Sequence, residues 1–314
     1  MTPVLGLIQI LAIGFAIGLV ALILTTAWML THPVRRSYAW AIARSQPGDP
    51  GELDEPLRFK DDTIETASAR VPIWDIEGRD PNGAIVLMTH GWGSSRQGAL
   101  KRIFPIVEHA SRIIAWDLPG HGEASGIARL GADEHLIAME LLGELGIKDT
   151  PIVLYGWSMG AGVSLALCAE IEKTHDVRGV ICEAVYCVPQ TPARAVLDLR
   201  GMPNRLNLSP ALALIGIKLG VGARWDGFDR AQIASNLETP ILLIHGDEDP
   251  VSPIADAQRV KAWAKNAALC EIQGAGHNNI WTDPIHRAIA SESVQSFMTR
   301  IADRRSRTGA RAQP

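Results

Sequence analysis

The chain has 314 residues, 47% of them hydrophobic, with a formal net charge of -4 and 5% aromatics. That is enough apolar material for a large core, and it excludes a disordered polyelectrolyte. No basic field marks a nucleic-acid partner. The four cysteines, Cys168, Cys182, Cys187 and Cys270, form no C-x-x-C pair and no zinc-ligand spacing, so they read as buried free thiols in a reducing compartment.

The first element is apolar. Val4 to Leu30 carries no charged residue, and at helical rise it spans about 40 Å, more than a bilayer core. A secretory signal peptide is the competing interpretation, but no Lys or Arg precedes the run, which is about twice the length of a usual signal core. The expectation is therefore one uncleaved transmembrane anchor over 1–34. Arg35, Arg36 and Arg44 follow it and nothing basic precedes it, which places the remainder in the cytoplasm.

Residues 35–56 come next. Their Pro-, Gly- and acid-rich part, Ser45 to Pro56, has no hydrophobic period and reads as a juxtamembrane linker. A single domain is expected over 57–303, and a basic tail over 304–314 with Arg304, Arg305, Arg307 and Arg311. Within the domain, β-type and helical segments alternate. Strands are expected near 59–66, 70–77, 84–89, 112–117, 152–155, 179–183, 241–245 and 269–273. Helices are expected near 96–109, 132–144, 160–174, 255–266 and 284–302. This is the order of a mostly parallel α/β sheet with helices on both faces. Residues 184–238 exceed what a crossover needs and are expected to form a small helical cap. Their apolar run, Pro210 to Val221, suits a core-facing helix better than a membrane-facing lid.

Chemistry is expected where chain leaves strand, because ligands of parallel sheets bind at the C-terminal strand ends. Gly156-Trp157-Ser158-Met159-Gly160 stands between a β-prone run and a helix-prone one. G-x-S-x-G in that setting suits a strained turn that presents Ser158, its small residues letting strand and helix approach closely. His90-Gly91-Trp92-Gly93 follows the strand at 84–89 and can direct the Trp92 amide at an oxyanion, with the Met159 amide as second donor. Asp117-Leu118-Pro119-Gly120-His121-Gly122 reads as a structural turn in which His121 shapes the loop. Late in the chain come Asp247-Glu248-Asp249-Pro250 and Gly276-His277. A serine hydroxyl needs a base, and the base needs a carboxylate to fix its tautomer. The order that results is Ser158, Asp249, His277.

With these segments in this order, from about Phe59 to Ile301 the chain resembles the α/β-hydrolase superfamily, and within it the small-capped serine hydrolases, some of which carry an N-terminal membrane helix. The resemblance implies an eight-stranded sheet, Ser158 as nucleophile, Asp249 as acid, His277 as base, and the amides of Trp92 and Met159 as oxyanion hole. Asp247 and Glu183 are the competing acids. Ser158 separates the chain from relatives with an Asp or Cys nucleophile, and no metal or organic cofactor is implied. The activity implied is that of an esterase, lipase or thioesterase on a small-molecule or lipid acyl substrate at a membrane. An amidase, peptidase or acyltransferase would use the same triad. A catalytically silent, membrane-tethered binding module is the rival of a different class.

Overall fold

A computed structural model describes residues 3–309, with side chains for residues 4–302. The tail is thus described only as backbone up to Gly309, and its arginines beyond 302 lie outside the described side chains. Ten α-helices occur among the described residues: α1 (Pro3–Thr31), α2 (Tyr38–Ile42), α3 (Phe104–Val107), α4 (Glu134–Glu144), α5 (Met159–Ile171), α6 (Gln190–Leu199), α7 (Leu208–Lys218), α8 (Arg230–Asn236), α9 (Ile254–Trp263) and α10 (Pro284–Gly309). Eight strands form one sheet: β1 (Phe59–Glu65), β2 (Arg70–Glu77), β3 (Ala84–Thr89), β4 (Ala110–Trp116), β5 (Ile152–Trp157), β6 (Val177–Glu183), β7 (Ile241–Gly246) and β8 (Ala267–Ile272). Their order across the sheet is β1-β2-β4-β3-β5-β6-β7-β8. The β1–β2 and β2–β4 pairs are antiparallel and the remaining pairs parallel.

The central strands are apolar on both sides because helices cover both faces. In β5, Ile152 and Leu154 join the core beneath α4, α5 and the α6–α8 segment, while Val153, Tyr155 and Trp157 join the opposite core beneath α3 and α10. The side-chain alternation of a strand feeds both layers at once. Helix α10 closes its side with Ala290, Val294, Phe297, Met298 and Ile301, a stripe at helical spacing. Full burial of each larger member contributes about 1.5–3 kcal/mol.

Two segments differ from the sequence expectation. The predicted helix over 96–109 is a 3-10 helix, Arg96–Arg102, followed by the short α3. Gly98 explains the tight path, since a Cβ there would lie 2.6 Å from the Trp157 ring. Residues 35–56, expected as a juxtamembrane linker, hold α2 and a 3-10 helix at Pro50–Glu52 and pack onto the domain. Arg35 donates to the carbonyls of Gly122, Ala124 and Gly126, and the Ala128 amide donates to the Thr31 carbonyl. The C-terminal end of α1 is thereby fixed to the domain, while Val4 to Leu24 present exposed apolar side chains such as Leu7, Ile10, Leu11 and Phe15. Among the described residues, one helix, Val4–Thr31, is long and apolar enough to cross a membrane.

Candidate active site

The turn between β5 and α5 is forced by its glycines. A Cβ on Gly156 would stand 2.0 Å from the Gly160 carbonyl oxygen, and one on Gly160 would stand 2.0 Å from that of Thr89. With both positions bare, the strand and helix close up and Ser158 takes φ 54°, ψ -118°, a conformation L-residues rarely adopt. Its amide donates to the Glu183 carbonyl at 2.8 Å, which pins the strained turn to β6.

His277 comes from the loop between β8 and α10. Its Nε2 lies 3.1 Å from Ser158 Oγ, and its Nδ1 lies 2.7 Å from Asp249 Oδ2. Asp249 Oδ1 accepts from the amides of Val251 at 2.8 Å and Ser252 at 2.9 Å, so the carboxylate has one oxygen held by backbone and the other on the histidine. A carboxylate can only accept, so Nδ1 carries the proton and Nε2 is left to accept from the serine hydroxyl. The three residues expected from the sequence stand in one continuous hydrogen-bonded line.

The competing acids lie elsewhere. Asp247 accepts from the Gly274 amide at 2.7 Å and so braces the loop that leads to His277. Glu183 is 1% exposed and fully engaged. It pairs with Arg102 through both oxygens, and Oε2 also accepts from Trp281 Nε1 at 2.7 Å and Tyr155 Oη at 3.1 Å. Burial works against its charge, yet the guanidinium of Arg102, then the Trp281 indole and the charge of Lys101, hold the carboxyl below its usual range. The Arg102 partnership has no signature in the sequence. A charged residue ending a buried strand was the available signal, and it points to a partner without identifying it.

The two amides expected at an oxyanion site, Trp92 and Met159, belong to residues that line the same cavity as Ser158 and His277. Neither amide donates to another group among the described residues. His90 shapes this loop: Nδ1 donates to the Gly91 carbonyl at 2.8 Å and Nε2 accepts from the Leu118 amide at 2.9 Å. Burial, and then the neighbouring His121, push the His90 imidazole well below its ordinary value, so it stays neutral. The Asp117 turn is likewise structural. Asp117 accepts from the amides of Arg96 and Glu123 and pairs with the Arg96 guanidinium, and burial lowers His121 to about 4.

The cavity measures about 830 Å³. Tyr186, Ala193 and Val196 line it from the segment following β6, and Leu30, Arg36 and Trp40 line it from the end of α1 and the stretch after it. The indole of Trp92 donates to the Leu30 carbonyl at 2.8 Å, so the loop carrying one candidate oxyanion amide rests on the last turn of the apolar helix. Composition could not reveal that contact, which depends on how residues 31–37 turn.

Residues 85–290 match the alpha/beta hydrolase family. Among curated proteins, the chain is similar to a pimeloyl-[acyl-carrier protein] methyl ester esterase of Neisseria meningitidis, 24% identical over 61% of this chain and 86% of that protein. It is also similar to a non-heme haloperoxidase of Rhodococcus erythropolis, 24% identical over 62% and 86% respectively. Among solved structures, an esterase of Pyrococcus furiosus aligns with TM-score 0.63 at 20% identity, covering 86% of this chain and 98% of its own. A membrane phospholipase A, described as a bacterial virulence factor, aligns with TM-score 0.60 at 16% identity over 95% and 98%. At these identities the structural likenesses speak for the fold, and the family match spans well over half of the chain. The chain belongs to the alpha/beta hydrolase family and is a hydrolase of the esterase-like kind.

Proposed function

We propose that this chain is a membrane-anchored serine esterase that cleaves carboxylic esters or thioesters of acyl lipids or acylated proteins through an acyl-enzyme. The observation that carries the proposal is the line Ser158–His277–Asp249 opening into a largely apolar cavity whose wall includes the end of α1. His277 Nε2 takes the serine proton as Oγ attacks the acyl carbon. The Trp92 and Met159 amides receive the oxyanion. The proton on His277 then passes to the departing alcohol or thiol as the acyl carbon–heteroatom bond breaks. Water, deprotonated by the same nitrogen, attacks the acyl-serine to release the acid and restore Ser158. The likeness to esterases and to a membrane phospholipase A supports an acyl substrate.

The anchor bears on where that substrate is met. Helix α7 packs against α1, and Asn207 Nδ2 donates to Thr26 Oγ1 at 2.7 Å. Thr26 lies about 8 Å below the end of α1 at helical rise. We infer that the exposed Leu206, Leu214 and Ile217 meet the membrane surface, while Leu208, Ala211, Leu212 and Ile215 are buried in the core. We place the domain on the cytoplasmic side on the strength of Arg36 and Arg44, since Arg35 is committed to three loop carbonyls.

Hydrolysis of p-nitrophenyl esters of increasing chain length tests the substrate class. kcat/KM is expected to rise from acetyl toward longer chains, and a preference for acetyl would overturn the lipid reading. Replacing Leu206, Leu214 and Ile217 together by Ser is expected to lower hydrolysis of acyl lipid in vesicles about tenfold, through weaker interfacial binding, and to leave soluble butyrate ester turnover nearly unchanged.

A further inference from the structure

The charge lining the cavity is one-sided. Among the described residues that line it there is no Asp or Glu, but there are four cations, Arg36, Lys101, Arg102 and Arg287. Arg102 is neutralised by Glu183. The other three make no ion pair among the described residues. They come from the stretch between α1 and α2, from the 3-10 helix and from the first turn of α10, so no single surface motif accounts for their convergence.

Arg36, Lys101 and Arg287 are solvent-exposed where the cavity meets water, and their shared sign gives that entrance a positive field that favours an anionic group. Lys101 is exposed at this surface, and crowding by protein, then the charges of Arg102 and Arg36, lower its ammonium to about 8, with Glu183 opposing. Arg36 has its guanidinium 4.8 Å from the Trp40 ring centroid, which orders the side chain while leaving its donors free for an oxyanion. The apolar part of the wall, including Leu53, Ala193, Val196 and Leu199, suits an acyl chain.

We infer that the preferred substrate is an acyl ester whose alcohol portion carries a phosphate, as in an acylglycerol phosphate, and that Arg36, Lys101 and Arg287 read that phosphate. This rests on the esterase reading above. The bond broken is the carboxylic ester C–O bond and the phosphate leaves intact on the alcohol. The three cations are specificity determinants that act on substrate binding, apart from the Ser158 chemistry.

The test uses the full chain in non-ionic detergent and two substrates below their micellar concentrations, 1-octanoylglycerol 3-phosphate and 1-octanoylglycerol. Wild type is expected to show kcat/KM about tenfold or more higher for the phosphate ester, through KM, as charge-assisted hydrogen bonds to an anion imply. In the triple variant R36Q/K101Q/R287Q that ratio is expected to fall to about one, while K101R alone keeps it because the charge is conserved. Labelling of the triple variant by a neutral fluorophosphonate verifies that it is folded. Equal kcat/KM for the two esters in wild type, or a triple variant that retains the wild-type ratio, overturns the inference and leaves the esterase reading standing. Failure of wild type to hydrolyse either ester overturns the inference, and the esterase reading falls with it only if p-nitrophenyl esters are not hydrolysed either.

Discussion

Asp249→Asn is expected to lower kcat for ester hydrolysis about 10⁴-fold with little change in KM, the magnitude seen when a triad carboxylate becomes an amide. The cause is the tautomer of His277. Asp249 Oδ2 accepts from Nδ1 at 2.7 Å, which keeps Nε2 unprotonated toward Ser158. An amide NH₂ turned to Nδ1 would favour the proton on Nε2, where it blocks deprotonation of the serine. The fold is expected to survive, because the amide oxygen still accepts from Val251 and Ser252 in place of Asp249 Oδ1. Asp247→Asn is the matched comparison: it retains an acceptor for the Gly274 amide and has no contact with His277, so its kcat should stay within a few-fold of wild type. Steady-state kinetics on one soluble ester distinguishes the two. A collapse with Asp247→Asn and not with Asp249→Asn would reverse the assignment of the acid.

Glu183→Gln is expected to act on stability first. Removing one member of a buried ion pair leaves an uncompensated charge and costs about 3–5 kcal/mol. Here the stranded charge is Arg102, 3% exposed, whose guanidinium also lies 4.2 Å from the Trp157 ring centroid, next to Ser158. The pH dependence has a definite sign. Glu183 is held below the ordinary value of 4.5, so its contribution is complete above that pH and is lost as pH falls through the lowered value. Thermal unfolding of wild type between pH 7 and pH 3 should lose this contribution on the acid side. Glu183→Gln should start less stable at pH 7, and the gap between the two should narrow as the pH drops. A constant gap would show that the charge of Glu183 is not what stabilises the fold.

Much of the architecture was legible because local pattern and tertiary role coincide. The strand β5 is a short apolar run that buries both faces, and the glycines at 156 and 160 stand where backbone oxygens lie 2.0 Å from any added Cβ. Asp249 and His277 follow strand ends, where a parallel sheet gathers its loops. The features that escaped are long-range or depend on docking. Residues 35–56 lack a hydrophobic period, yet Tyr38 packs over Gly48, where a Cβ would lie 2.4 Å from its ring, and Trp40 reaches the cavity. The Arg102–Glu183 pair joins residues far apart in the chain, and neither has a local signature. In α7 the single expectation of a core-facing helix divides by face: Leu212 and Ile215 are buried, whereas Leu214 and Ile217 are exposed. Composition cannot separate two faces that are both apolar.

The central claim is that Ser158 is a nucleophile activated by His277. The most direct measurement is covalent labelling of the purified full-length protein by a fluorophosphonate, with the modified residue located by mass spectrometry, in wild type, Ser158→Ala and His277→Ala. A stoichiometric label is expected on Ser158 in wild type and none in either variant. A folded wild type that takes up no label would contradict it, since a serine 3.1 Å from the His277 Nε2 and open to a cavity of about 830 Å³ should react. The chain would then keep the geometry of a hydrolase without its chemistry.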